Sequence, residues 1–309
     1  MSLPTRAATL ACATLLLARP LFAEGPAVVT DIPPVASLVS MVAGVQDAST
    51  VLLPPGTSPH ALSLKPSQAR SLAEAALVIW IGPELTPGLE HQIEALAPDA
   101  QSIALDAAPG TLRLNFREGG LIESDDHDHD PGHEHDEEPP FDPHLWLAPD
   151  NAVLWLDVIA SALAERDPEN AATYRQNATD GAARIRTAEE AARSTLAPAR
   201  GKPLGVSHDA FQYVEHSFGL SVIGALSDGD DAAPGAARVA ELHDHFAEAT
   251  PACILIEPGT DPDLLATVAD PSIPRAEIDV LGSALPQGAD LYPALIEDIA
   301  TRIAACVGN

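Results

Sequence analysis

From residue 27 onward, short β-branched apolar runs alternate with longer amphipathic stretches. A run of four or five consecutive apolar residues is buried on both faces, and such strands belong to parallel sheets whose crossovers are helices. The alternation therefore fixes an α/β fold. In the first half, strands are expected at 27–32, 50–53, 77–81 and 102–105, and helices over 34–42, 66–75 and 87–96. A weaker strand is expected at 111–116 and a helix at 150–165. The second half repeats the scheme, with strands at 204–206, 220–223, 252–256 and 276–280 and helices over 211–217, 236–247, 262–269 and 291–305.

Between the halves, 168–197 is rich in Ala, Arg and Glu, with one proline at its start and one glycine, Gly181. That composition favours helix, and the length predicts a rod of roughly 40 Å at 1.5 Å per residue. A flexible hinge would be richer in Gly and Ser. The expected architecture is two Rossmann-like lobes with mostly parallel sheets, at 24–167 and 198–309, joined by one long rigid helix.

The N-terminus reads as a secretory signal over 1–23: Arg6, an apolar run over 7–18, and Leu21-Phe22-Ala23 as the cleavage site. The run is too short, and too soon interrupted by Arg19-Pro20, to stop in a membrane. Thr9-Leu10-Ala11 before Cys12 is a poor lipoprotein signal, so a soluble exported chain is expected. Cleavage leaves Cys253 and Cys306, and an even pair in an exported chain suggests one disulfide, with two separate buried thiols as the alternative. With 16 basic against 45 acidic residues, net charge −29, the chain is unsuited to nucleic acid, and Arg6 and Arg19 leave with the signal.

Residues 124–138 place His127, His129, His133 and His135 among Asp and Glu with no apolar anchor. Such a segment buries too little surface to offset its ordering entropy, which predicts a mobile loop. Imidazoles and carboxylates suit zinc and other borderline divalent metals, whereas acidic solubility alone does not call for four histidines. An auxiliary metal-handling loop is expected, weaker than a preformed site.

Isolated groups fall where the strands end. His60 follows the second strand, His144 follows the His-rich segment, His208 ends the first strand of the second lobe, and Asp279 ends the last. Ligands of open α/β sheets bind outside the carboxyl ends of the strands. Two of these groups come from each lobe, so they could meet only in a cleft between lobes. Three nitrogens and one oxygen would make a tetrahedral zinc set, although spacing alone does not bring them together. Glu257 also follows a strand and is a weaker candidate. His243-Asp244-His245 sits in a helical stretch, where i and i+2 point apart, and His91 and His216 read as surface groups. Trp80, Trp146 and Trp155 read as packing residues.

Four segments, in order, resemble the ligand motifs of the cluster A-I metal-binding proteins of ABC transporters. They are Ser58-Pro59-His60-Ala61-Leu62-Ser63-Leu64-Lys65-Pro66-Ser67-Gln68, Asp142-Pro143-His144-Leu145-Trp146-Leu147-Ala148-Pro149, Ser207-His208-Asp209-Ala210-Phe211-Gln212-Tyr213 and Glu277-Ile278-Asp279-Val280-Leu281-Gly282. A histidine in the third motif, with a His-rich loop before the second, resembles the periplasmic zinc-uptake branch; manganese-binding relatives commonly have a carboxylate there. The resemblance implies Zn2+ as cargo, His60, His144, His208 and Asp279 as ligands, a periplasmic monomer, and an inner-membrane ABC permease with its cytoplasmic ATPase as partners. Some zinc-binding members carry an acidic residue before the first histidine. Pro59 stands there in this chain, which shifts the fourth position toward Asp279 or water. A manganese or iron carrier on the same fold is one alternative. An exported zinc hydrolase is another, from a different class, but the chain lacks His-Glu-x-x-His and an obvious general base.

Overall fold

A computed structural model describes residues 25–117, 140–227 and 234–308. The expected signal at 1–23 and the His-rich segment at 124–138 lie outside the described residues. Strands β1 (Val28–Thr30), β2 (Thr50–Val51), β3 (Leu77–Trp80) and β4 (Gln101–Ala104) form a parallel sheet in the order β2-β1-β3-β4. Strands β5 (Pro203–His208), β6 (Ser221–Ser227), β7 (Cys253–Ile256) and β8 (Arg275–Glu277) form a second parallel sheet in the order β6-β5-β7-β8. The two orders are the same. In each, the chain leaves the first strand to one side and later returns to its other side, so a crevice opens at the carboxyl ends of β1 and β3, and of β5 and β7. All four residues of β3 are buried, as the two-faced apolar pattern requires.

The helices are α1 (Pro33–Ala43), α2 (Pro66–Ala73), α3 (Leu89–Leu96), α4 (Pro149–Arg166), α5 (Ala171–Thr195), α6 (Gln212–Phe218), α7 (Ala236–Glu248), α8 (Pro262–Val268) and α9 (Leu291–Val307). Pro33, Pro66, Pro149 and Pro262 occupy first turns, where the missing N–H costs nothing. The expected long helix is α5. It packs against α1 and α4 from the first half and α9 from the second. Gly181, its one glycine, lies where these helices converge: an added Cβ would stand 3.2 Å from Leu156 Cδ1 and 3.5 Å from Met41 Sδ. One buried core runs through both halves, including Val35, Leu38, Trp155, Ile185, Tyr213, Tyr292 and Ile299. Cys253 and Cys306 form a disulfide with Cα atoms 5.8 Å apart, tying β7 to α9. Among the described residues no helix is long and apolar enough to cross a membrane.

Three local expectations are corrected. The segment 111–116 is not a strand: Leu112 and Leu114 N–H bond to the side chains of Asn151 and Tyr213, and its backbone meets 140–142 only through Phe116 N–H to Pro140 and Asp142 N–H to Leu114. Only an isolated antiparallel bridge links Asn115 to Phe141. The rod is not helical from its first residue: 3₁₀ turns at Pro168–Asn170 and Ala197–Ala199 flank α5. Finally, β8 stops at Glu277 because Asp279 opens a turn, its carbonyl accepting from Gly282 N–H at 3.1 Å.

Candidate metal centre

His60 sits in a 3₁₀ turn, Pro59–Ala61, whose first N–H groups are exposed to capping; Ser58 Oγ accepts from His60 N–H at 3.2 Å. His144 immediately precedes the 3₁₀ turn Leu145–Leu147. His208 is the last residue of β5, at the crevice of the second sheet. The three rings converge edge to face. Centroids are 5.4 Å apart for His60–His144, 6.0 Å for His60–His208 and 4.9 Å for His144–His208. One ring nitrogen from each lies within 4.8 Å of the others. His144 and His208 are buried and His60 is half-buried.

Carboxylates back two of the rings. Asp142 Oδ1 lies 2.7 Å from His144 Nδ1 and also accepts the His144 backbone N–H at 2.9 Å. Glu257 Oε2 lies 3.0 Å from His208 Nδ1, and its own N–H is held by the hydroxyls of Ser207 and Thr260 at 3.1 Å each. A carboxylate on Nδ1 selects the tautomer with its proton there, so the lone pair resides on Nε2. Neutral rings backed by anions make a favourable seat for a cation. Further charge lies close by. Burial pushes the Asp209 carboxyl up, while Arg117, with Nε 3.6 Å from Asp209 Oδ2, draws it back down. Arg117 also pairs with Glu215.

The cluster opens on a cavity of about 670 Å³, lined in part by Ser58, His144, His208, Glu257 and Asp279. Asp279 is therefore near the site, but stands outside the histidine cluster. Its carboxylate accepts from the N–H groups of Leu281 at 3.0 Å and Ser283 at 2.6 Å. His91, His216 and His243 are exposed, His245 is half-buried, and none joins the cluster among the described residues. Trp80, Trp146 and Trp155 are buried, as expected of packing residues.

Two residues of the centre were not singled out, or were undervalued, in the sequence. Asp142 lies two residues before His144, close enough to bond both its backbone and its ring. Glu257 follows β7, the strand beside β5, so its contact with His208 follows once strand order is known.

Fold and cluster together define the class: a two-lobed solute-binding protein whose cleft suits a divalent metal. The match is specific at the level of sequence. The chain belongs to the family of periplasmic zinc-uptake complex component A, ZnuA, whose model matches residues 28–306. It is 38% identical to the high-affinity zinc uptake system protein ZnuA of Paracoccus denitrificans, over 97% of each chain. It is 35% identical to the protein of that name from Brucella suis, over 93% of each. A crystal structure of ZnuA shares the fold, with a TM-score of 0.73 at 22% identity over 92% of this chain and 99% of that one.

Proposed function

We propose that the protein captures Zn2+ in the cleft between its lobes, through His60, His144 and His208, and delivers it to an ABC importer. The observation that carries this reading is the cluster itself: three imidazole nitrogens within 4.8 Å of one another, two of the rings backed by carboxylates. A nitrogen-only trio favours zinc over manganese, which prefers oxygen ligands, and the zinc-uptake names of the relatives support the same metal. The fourth position belongs to water or Asp279. The two backbone N–H groups already held by Asp279 favour water.

In this reading residues 1–23 direct export to the periplasm, where the mature protein works as a monomer and docks on an inner-membrane permease with its cytoplasmic ATPase. The His-rich segment, with His127, His129, His133 and His135, is an auxiliary collector. No reaction is catalysed: Asp142 and Glu257, the carboxylates bonded to the histidines, orient imidazoles and are not placed as general bases. Zinc-loaded protein should therefore leave activated esters and phosphoesters intact.

Deletion of 124–138 tests the division of labour. Competition titration should then find one tight zinc site and none of the weaker binding, because a segment that must order on binding binds less tightly than a preformed cleft. Loss of the tight site would overturn the assignment.

A further inference from the structure

We propose that Tyr213 and Tyr292 are positioning residues that fix His144 and thereby set the geometry of the metal centre. The inference rests on His60, His144 and His208 being the ligands. His144 lies on an irregular segment, entered from the antiparallel bridge at Phe141 and leaving through a single 3₁₀ turn. A ligand on such a segment needs its orientation imposed by neighbours. Two hydroxyls impose it. Tyr213 donates to the carbonyl of Asp142 at 2.8 Å, and Tyr292 donates to the carbonyl of Trp146 at 2.7 Å. The two carbonyls stand two residues before and two residues after His144.

Both phenols are completely buried, and burial holds both above the usual tyrosine range, so they remain protonated donors. Tyr213 is also an acceptor, from Leu114 N–H at 3.0 Å. It stands on α6, just beyond His208, so it refers His144 to the same body that carries His208. Tyr292 stands in the first turn of α9, and its N–H is anchored on Ser37 Oγ of α1 at 3.0 Å.

Each clamped carbonyl reaches the ring through its own residue. The Asp142 carboxylate holds both the backbone N–H and Nδ1 of His144. The Trp146 indole lies 5.3 Å from the imidazole and donates to Val280 carbonyl at 2.8 Å, in the second half of the chain. A shift of either clamp therefore turns or slides the His144 ring. Holding it in place before the metal arrives spares the ordering cost that binding would otherwise meet.

The test compares Tyr213→Phe and Tyr292→Phe with wild type, using Tyr174→Phe and His144→Ala as references. Tyr174 bonds Asp167 beside the linking helix, 2.7 Å away, and has no part in this frame. Zinc affinity is measured by competition, and coordination geometry by the visible absorption of the Co2+ form. Each clamp variant should bind zinc about tenfold more weakly, at the lower end of the range for residues that orient metal ligands. Each should also change the Co2+ spectrum. Tyr174→Phe should lower thermal stability alone. If a clamp variant does not fold, Trp146→Phe, which breaks the tie to Val280, should give the same two changes. Clamp variants with wild-type affinity and spectrum, alongside a His144→Ala that has lost tight binding, overturn the inference. A His144→Ala that binds zinc as wild type overturns the ligand assignment itself, and the inference with it.

Discussion

Glu257 Oε2 stands 3.0 Å from Nδ1 of His208, and the two residues project from the ends of adjacent strands, β7 and β5. The pair forms at the crevice where strand order reverses, so topology alone brings a carboxylate to the imidazole. The carboxylate fixes the tautomer and raises the basicity of the ligating nitrogen. Glu257→Ala should weaken zinc binding by about 10–100-fold while the cluster keeps its three histidines. Competition titration reads this directly, and unchanged affinity would assign Glu257 to the cavity wall alone.

The Cys253–Cys306 bridge closes a separation of 53 residues between β7 and α9. Constraining the unfolded chain over such a loop contributes about 2–4 kcal/mol. Replacing both cysteines with serine should lower the free energy of unfolding by that amount in urea titrations, with zinc affinity nearly preserved. A loss below about 0.5 kcal/mol would contradict the estimate.

Many elements were legible because β1, β3 and β7 are compact apolar runs and α1, α2, α4 and α8 open on a proline, whereas β8, Arg275-Ala276-Glu277, carries no apolar run at all. His60 and His208 were legible through strand ends, and all three histidines through motif order. Asp142 and Glu257 were not, because their role depends on contacts: a carboxylate two residues from His144 reads as a turn residue until its ring bond is seen. The segment 111–116 carries a strand's composition, yet Leu112 and Leu114 N–H bond to the side chains of Asn151 and Tyr213, which lie 39 and 99 residues away from the atoms they bind. No local pattern encodes such pairings. Asp279 was legible as a strand-end residue: it lines the cavity, and its carboxylate accepts from Leu281 and Ser283 N–H with lone pairs left over.

Asp31, the residue after β1, is fully buried, its two oxygens accepting from Ile32 and Ile81 N–H at 2.8 Å each. Burial outweighs these bonds and raises the carboxyl from 3.8 to about 7. The folded value exceeds the unfolded one, so its contribution is full below about pH 4 and is lost as pH rises through about 7. Between about pH 5 and 7.5, wild type should lose on the order of 2 kcal/mol relative to Asp31→Asn. Urea unfolding at the two pH values measures this, and parallel pH profiles would contradict it.

Zinc binding should carry the signature of histidine. Ligating imidazoles must be neutral, so protons compete with the metal. Affinity should be greatest above neutrality and fall steeply toward about pH 5, because all three imidazoles must be neutral to ligate. Zinc dissociation constants between about pH 5 and 8, measured on protein lacking 124–138, decide the matter. A carboxylate site would stay flat until about pH 4–5.

The most direct test of a single three-histidine centre is zinc competition titration of His60→Ala, His144→Ala and His208→Ala, each lacking 124–138 so that only the cleft reports. Each variant should keep its fold and lose the tight site, by more than the roughly 10–100-fold that loss of an orienting partner brings. Asp279→Ala should lose less, since water can take the fourth position. Wild-type affinity in any one histidine variant would remove that residue from the centre, and wild-type affinity in all three would contradict the account.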